Sequence, residues 1–287
     1  MEQHISGFDF GKNWGRYLHT INPEIIDKAQ QSLIRMLRIK DLRDMEFFDA
    51  GCGSGLFSLA ALKLGAKHVE SIDINPECVE CANILHEKYG PFPNWNIRTG
   101  SVLDRNLLTT LGTFDIVYSW GVLHHTGDMW RAFDNICELV KPGGYLYISI
   151  YNDQGLISKF WLWVKRFYNT QPGFIKNMIV MSYFLLVLIN ECSKVCLLKK
   201  PFSEWFKSSE RGMSLWYDCV DWCGGYPYET AKAEQLFEYF YSRDFNLVNM
   251  KLKGGSGCNE MVFVRKKTET EPTSLSVSVP AGCFASQ

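Results

Sequence analysis

The sequence predicts an α/β protein, with a mostly parallel sheet covered on both faces, a helical insertion and a closing antiparallel hairpin. Three observations predict it. Residues 47–150 alternate short apolar strands with amphipathic helices, the spacing of a parallel sheet with crossover helices. Residues 151–230 break that rhythm with an aromatic-rich, helix-patterned stretch too long to be a loop in a compact domain. Residues 245–265 return as two strand-like runs about Gly254-Gly255-Ser256-Gly257.

Taken in order, residues 1–46 are an N-terminal helical extension. Asn22 supplies a cap and Pro23 a first helical position, and Ile25, Ile26, Ala29, Leu33, Met36 and Leu37 then repeat at helical period. Residues 47–150 form the core, with strands over 47–50, 69–73, 95–99, 114–119 and 145–150. Helices cover 56–64, closed by Gly65; 76 to about 88, capped by Asn75; and 130–140, ended by Pro142-Gly143-Gly144. Residues 151–230 are read as a helical cap. Residues 231–266 complete the sheet with a helix over 234–242 and strands over 245–252 and 258–265. Residues 267–287, rich in Ser and Thr and without period, read as a disordered tail.

Composition narrows the function. Hydrophobic residues at 46% and charged residues at 21% supply a real core. Thirty Lys and Arg against 31 Asp and Glu leave no basic surplus for nucleic acid. The start Met1-Glu2-Gln3-His4 lacks both the charged and the apolar region of a signal peptide, so a cytoplasmic location with reduced thiols is expected. Cys78 and Cys81 share a helical face with Ala82 and Leu85 and read as packing. Cys219, Cys223 and Cys258 lack the paired spacing of a zinc site, and no metal is expected. The longest apolar run, residues 178–189, falls short of the roughly 20 residues of a membrane span. It reads as a buried or interfacial helix without stable membrane insertion. A dimer or membrane contact is the competing reading, disfavoured because soluble monomers rarely expose so large a patch.

The chemistry concentrates in Asp49-Ala50-Gly51-Cys52-Gly53-Ser54-Gly55. Its glycines fall at G-x-G-x-G, whereas a dinucleotide fingerprint would place its third glycine where Leu56 stands. A nucleoside without pyrophosphate needs close backbone approach, here at Gly51, Cys52 and Gly53, and an acidic partner for an amine, here Asp49. Asp73 ends the second strand, where carboxylates bind ribose hydroxyls. Ser101 and Val102 follow the third strand, where backbone groups and an apolar side chain can frame a base.

These segments resemble the class I S-adenosylmethionine-dependent methyltransferases. The likeness extends through Ser71-Ile72-Asp73-Ile74-Asn75-Pro76, Phe114-Asp115-Ile116-Val117-Tyr118-Ser119, Val122-Leu123-His124-His125 and Leu139-Val140-Lys141-Pro142-Gly143-Gly144. It implies a Rossmann-like seven-stranded sheet with an antiparallel last strand, and S-adenosyl-L-methionine as cofactor. The cofactor residues it implies are Asp49, Gly51, Cys52, Gly53, Asp73, Ile74, Ser101, Val102 and Trp120. Trp14, one helical turn before Tyr17, would close an aromatic face over the sulfonium. A narrower likeness covers Phe10-Gly11-Lys12-Asn13-Trp14, Arg211-Gly212-Met213-Ser214, Asp221-Trp222-Cys223-Gly224-Gly225-Tyr226-Pro227 and Gly257-Cys258-Asn259-Glu260. These segments resemble an uncharacterised subgroup of small-molecule methyltransferases.

The expected reaction is methyl transfer to a small-molecule substrate, a hydroxyl first, with an amine or thioether as alternatives. A hydroxyl needs a base, and His124, His125 and Asp153 are the candidates at the ligand edge of the sheet. Tyr151, Arg211, Asp221, Trp222 and Tyr226 are the candidate substrate residues, and Trp161, Trp163, Phe167, Tyr168 and Trp205 the candidate apolar walls. A nucleic-acid or protein methyltransferase is the alternative within the fold. Against it, Ser119-Trp120-Gly121-Val122 stands where base-amine enzymes carry Asn/Asp-Pro-Pro-aromatic. A catalytically silent cofactor-binding partner protein is the alternative from another class. The oligomeric state is open, a dimer included.

Overall fold

Five strands run parallel: β1 (Glu46–Ala50), β2 (His68–Asp73), β3 (Trp95–Thr99), β4 (Phe114–Trp120) and β5 (Val140–Tyr151). β7 (Cys258–Arg265) enters antiparallel between β5 and the edge strand β6 (Phe245–Lys251), giving the order β3-β2-β1-β4-β5-β7-β6. The computed structural model describes residues 11–198 and 215–267. The seven-stranded, mostly parallel sheet with its antiparallel hairpin is the predicted fold.

β1 lies at the centre, and its neighbouring residues point to opposite faces. Phe47 packs towards α2 (Pro23–Leu37) and α3 (Leu56–Lys63), and Phe48 towards α6 (Met129–Glu138) and α10 (Ala233–Tyr241). Both are fully buried, and each contributes about 1.5–3 kcal/mol of apolar transfer. The predicted caps form: Asn22 accepts from the Ile25 N–H (3.0 Å), and Asn75 from the Glu77 N–H (2.9 Å) at the start of α4 (Pro76–Tyr89). Cys78, Cys81, Ala82 and Leu85 make up the buried face of α4. Ahead of α2, α1 (Gly11–Leu18) lies against the start of α4.

The stretch after β5 is helical: α7 (Leu156–Thr170), α8 (Gly173–Leu198) and α9 (Leu215–Gly224). Its ends are tied to the carboxyl edge of the sheet. The Ala231 N–H donates to Tyr151 O (3.0 Å), the Asp153 N–H to Ala231 O (3.2 Å) and the Glu229 N–H to His124 O (3.0 Å). The three helices share a small core of Tyr168, Val180, Cys219 and Cys223.

Three expectations are corrected. A short helix, α5 (Arg105–Leu111), follows Asp104, whose side chain accepts from the Leu107 N–H (3.1 Å); the sequence reading missed it. The run 178–189, expected as a buried or interfacial helix, lies within a 26-residue helix and is not buried: Met178, Leu186 and Ile189 are more than 60% exposed. Its inner side packs on α7 and α9, and the outward residues Phe174, Met178, Met181, Leu185 and Ile189 are exposed. Trp163 and Phe167, expected as inner walls, are also exposed. Residues 1–10, Trp205 and the tail beyond Lys267 lie outside the described residues.

Candidate active site

The turn after β1 is stitched to β2, since the Gly51 and Cys52 N–H groups both donate to Ile72 O (2.8 and 3.0 Å). Gly51 has φ +86° and Gly53 φ +53°, the left-handed region in which side chains are strained. Space is equally restrictive. A Cβ on Gly51 would lie 2.4 Å from both γ-carbons of Val122, and one on Gly53 would lie 3.0–3.3 Å from the Trp14 indole. Trp14, on α1, therefore lies directly on the glycine turn, edge-on to Tyr17 (centroids 5.5 Å).

Asp73 accepts from the Gly53 N–H (2.9 Å) through one oxygen and from the Asn75 N–H (2.9 Å) through the other. A carboxylate has about four acceptor sites, so it retains capacity for hydroxyl donors. Burial raises its pKa, against the pull of those amides. Ile74 beside it is 71% exposed, an apolar surface next to a polar anchor. Ser101 is partly buried and its Oγ accepts from the Leu103 N–H (3.1 Å), holding the loop after β3. Val102 corrects its expected role: its side chain belongs to the core and its carbonyl accepts from Asn135 (2.9 Å). The exposed apolar side chain at this rim is Ile74. Cys52 is buried, which pushes its thiol well up, and Trp120, half-buried, ends β4.

Asp49 lies beneath the turn, 1% exposed, rather than open at its rim. Trp95 Nε1 donates to Ser71 (2.8 Å), Ser71 and Ser58 share a hydrogen bond (2.8 Å), and Ser58 donates to Asp49 (2.5 Å). Burial nevertheless raises the Asp49 pKa to about 7. Its charge is therefore poised for a cationic neighbour.

Val122, which closes on Gly51, leads straight into a single 3-10 turn, Leu123–His125. His124 is 1% exposed. Its Nδ1 lies 3.4 Å from the Tyr151 N, and its Nε2 is buried without a hydrogen-bond partner among the described residues. His125 Nδ1 lies 2.6 Å from Pro227 O. A carbonyl only accepts, so Nδ1 carries the proton and Nε2 is the basic nitrogen. Burial pushes both imidazoles down, His124 well below its ordinary value and His125 to about 3. Both are neutral near pH 7.

Tyr151 sits among these rings, 3.9 Å from His124, 5.4 Å from Trp222 and 5.2 Å from Tyr228 (centroid distances). Trp222 Nε1 is a second buried donor without a partner among the described residues. Into this cluster α7 inserts Lys165, fully buried. Its Nζ donates to Trp222 O and lies 4.8–5.8 Å from the ring centroids of Tyr151, Trp222 and Tyr228. Burial lowers its pKa to about 7, and Asp221 and neighbouring thiols pull it back up.

The structure thus brings His124, His125, Tyr151 and Trp222 together, with Asp221 near enough to act on Lys165. Two expected members fall elsewhere. Asp153 turns the chain into α7, its carboxylate accepting from the Gly155 N–H (2.9 Å), as Asp does when it bonds two residues on. Tyr226 is turned towards Arg166 (6.0 Å), and Tyr228, two residues later, occupies the cluster instead. Arg211 lies outside the described residues. Lys165 was missed because a lysine in a helical pattern reads as a solvated face; its one signal is the aromatic residues crowded around it in sequence.

Residues 17–179 match the family described as Methyltransferase domain. The chain belongs to that family and, with it, to the S-adenosylmethionine-dependent class I methyltransferases. Two ubiquinone biosynthesis O-methyltransferases are similar to it. That of Colwellia psychrerythraea is 32% identical over 139 residues (47% of this chain, 55% of the relative). That of Xanthomonas oryzae pv. oryzae is 33% identical over 135 residues (47% and 52%). The chain thus spans about half the length of the curated relatives it matches. Its fold is shared with magnesium protoporphyrin IX methyltransferase from Synechocystis PCC 6803, crystallised with bound SAH (TM-score 0.50, 15% identity, 91% of this chain and 90% of that chain). It is also shared with an O-methyltransferase family protein from Burkholderia thailandensis (TM-score 0.51, 11% identity, 86% and 56%). The residues at the turn fit the cofactor: a cradle that a Cβ would fill at Gly51 and Gly53, the Asp73 carboxylate and the exposed Ile74.

Proposed function

We propose that this protein methylates a hydroxyl group of a small molecule held between the glycine turn and the helices α7–α9. In this reading residues 47–150 hold the cofactor and residues 151–230 cap the substrate. Gly51, Cys52 and Gly53 admit the cofactor to the backbone, Asp73 binds its ribose, Ile74 and the Ser101–Val102 loop flank its base, Asp49 supplies negative charge from beneath the turn for its amine, and Trp14 covers it. When bound, S-adenosylmethionine supplies an electrophilic methyl group on a sulfonium.

The observation that carries the acceptor reading is the cluster of His124 and His125, two and three residues beyond Val122, with Lys165 of α7 and Trp222 of α9. Nε1–H of Trp222 is a buried donor awaiting an oxygen beside the buried His124 ring, and a buried unpaired donor is costly. Lys165, titrating near neutrality, takes the proton of the hydroxyl; a group with pKa near the working pH is the most effective base. His125, pushed to about 3, is the weaker base and serves to orient. Asp221 sustains the charge on Lys165 after proton uptake. Because Lys165 and His124 are buried, α7–α9 must shift to admit the acceptor, and their return excludes water. The hydroxyl chemistry printed in the names of the curated relatives supports the same acceptor class.

The test is SAH release from the full chain with a panel of small hydroxylated acceptors. Lys165→Met should lower kcat by about 10²–10⁴-fold and abolish the pH dependence near 7 while SAH affinity stays intact. Turnover of amines or thioethers alone, indifferent to Lys165→Met, would refute the hydroxyl reading. Absence of turnover by a chain that binds SAH would support a silent cofactor-binding protein.

A further inference from the structure

The inner faces of α7 and α8 belong to the cap; their outer faces have no partner among the described residues. On α7, Leu156, Phe160, Trp163 and Phe167 are 80, 57, 61 and 42% exposed and recur every three or four residues, one stripe along the helix. Phe160 stacks on Trp163 and Trp163 on Phe167 (centroids 6.3 and 5.7 Å), so the stripe is a continuous aromatic surface. On α8, Phe174, Met178, Met181, Leu185 and Ile189 make a second exposed stripe. The contacts Tyr168–Lys176 (5.5 Å) and Trp161–Tyr183 (5.1 Å) show α8 running back antiparallel along α7. The two stripes therefore lie on adjacent helices, each turned away from α9.

Charge identifies the occupant. Residues 154–200 carry seven Lys and Arg against one Glu, in a chain whose net charge is −1. Of these Lys165 is buried, but Lys159 and Arg166 are exposed on the flank of the α7 stripe, and Lys176 is half-buried at the start of α8. None of these three forms an ion pair among the described residues. An aromatic and aliphatic face edged by cations is the pattern of a helix lying in the headgroup region of an anionic bilayer. A second copy of the chain suits it poorly, because a two-fold contact would oppose the same cations to one another.

We propose that the outer faces of α7 and α8 dock on the surface of an anionic lipid bilayer, the helices lying in the interface rather than crossing it. By length and composition alone α8 could cross: Gly173–Asn190 has mean hydropathy 1.6 and is 6% buried. Two observations oppose it. Between Lys176 and Glu191 lie 14 uncharged residues, which rise about 21 Å, short of the hydrocarbon core of about 30 Å. Val180 (1% exposed) and the Phe184–Trp216 contact (5.5 Å) also fasten its inner face to α9, which bears Asp218 and Asp221. Crossing would strip that packing or draw two carboxylates into lipid. The proposal is independent of the acceptor assigned above, since the inner and outer faces of α7 use different residues.

The experiment is co-flotation of the full chain with vesicles of phosphatidylcholine alone or of phosphatidylcholine containing phosphatidylglycerol. Binding should be at least about tenfold stronger on the anionic vesicles. It should fall by at least about tenfold both in Phe160→Ser/Trp163→Ser/Leu185→Ser and in Lys159→Glu/Arg166→Glu. SAH affinity by calorimetry serves as the control for folding. In the unmodified chain, lipids brominated near the headgroup should quench tryptophan fluorescence more than lipids brominated at the chain ends. Equal binding to both vesicles, no binding to either, resistance to carbonate extraction, or a dimer that the apolar variant dissociates would each overturn the proposal.

Discussion

Gly51→Ala tests whether the cofactor turn and the histidine turn are one mechanical unit. Alanine at φ +86° costs about 1–2 kcal/mol of left-handed strain. Its Cβ also meets both γ-carbons of Val122 at 2.4 Å and the Val122 Cβ at 2.9 Å. Overpacking of that kind costs roughly 1–3 kcal/mol, so Gly51→Ala should lose about 2–5 kcal/mol, shared between unfolding free energy and SAH affinity. Val122→Ala alone should cost on the order of 1 kcal/mol. Together the two should recover about 1–2 kcal/mol relative to their sum, because the γ-carbons are gone while the strain and the contact with Cβ remain. Urea unfolding with and without SAH, on all four chains of the cycle, measures this coupling. Additivity to within about 0.5 kcal/mol would mean that Val122 does not close on the turn, and would break the link drawn from Gly51 to the His124–His125 cluster.

Three further outcomes are expected. Because Asp49 titrates near 7 in the free protein, SAH affinity should weaken as pH falls through 7, and Asp49→Asn should flatten that dependence. Without ligand, the folded Asp49 retains a proton that the unfolded chain has released between 3.8 and about 7, so stability declines as pH rises across that window and the decline shrinks in Asp49→Asn; denaturant titrations at several pH values read it. Lys165 has the opposite sign. The unfolded chain binds its proton up to 10.5 and the folded chain only to about 7, so unfolding free energy should rise with pH between those values in the parent relative to Lys165→Met; parallel slopes would contradict the burial of a titrating amine. Gly225→Ala places a Cβ 2.9 Å from both Asp221 O and His125 Cε1, and should lower kcat while leaving SAH affinity unchanged by calorimetry; equal loss of both would assign Gly225 to the fold rather than to the acceptor site.

Much of this was legible in the residues because the forces involved are local. Asn22 and Asn75 cap their helices through N–H groups two or three residues away. Cys78, Cys81, Ala82 and Leu85 recur at helical period, so their shared burial follows from spacing alone. The glycine turn was readable because a backbone that must be approached closely leaves a mark in composition, and Asp73 because it ends a strand at a set distance from that turn.

What escaped depends on contacts that spacing does not encode. Alternation shows that Tyr226 and Tyr228 share one side of an extended segment only if the chain stays straight; the bend that sends Tyr226 to Arg166 and Tyr228 to Tyr151 is a tertiary event. Asp49 looked like an open acid because the sequence does not show Ser58, Ser71 and Trp95 closing around it. Lys165 has the signature of a solvated lysine until Tyr151, Trp222 and Tyr228, from distant parts of the chain, meet over it. Hydropathy by itself determined that residues 178–189 are an apolar run. Which face of α8 is covered depends on how α7 and α9 pack on it, and only the tertiary structure decided that Val180 turns inward while Met178 and Ile189 are exposed.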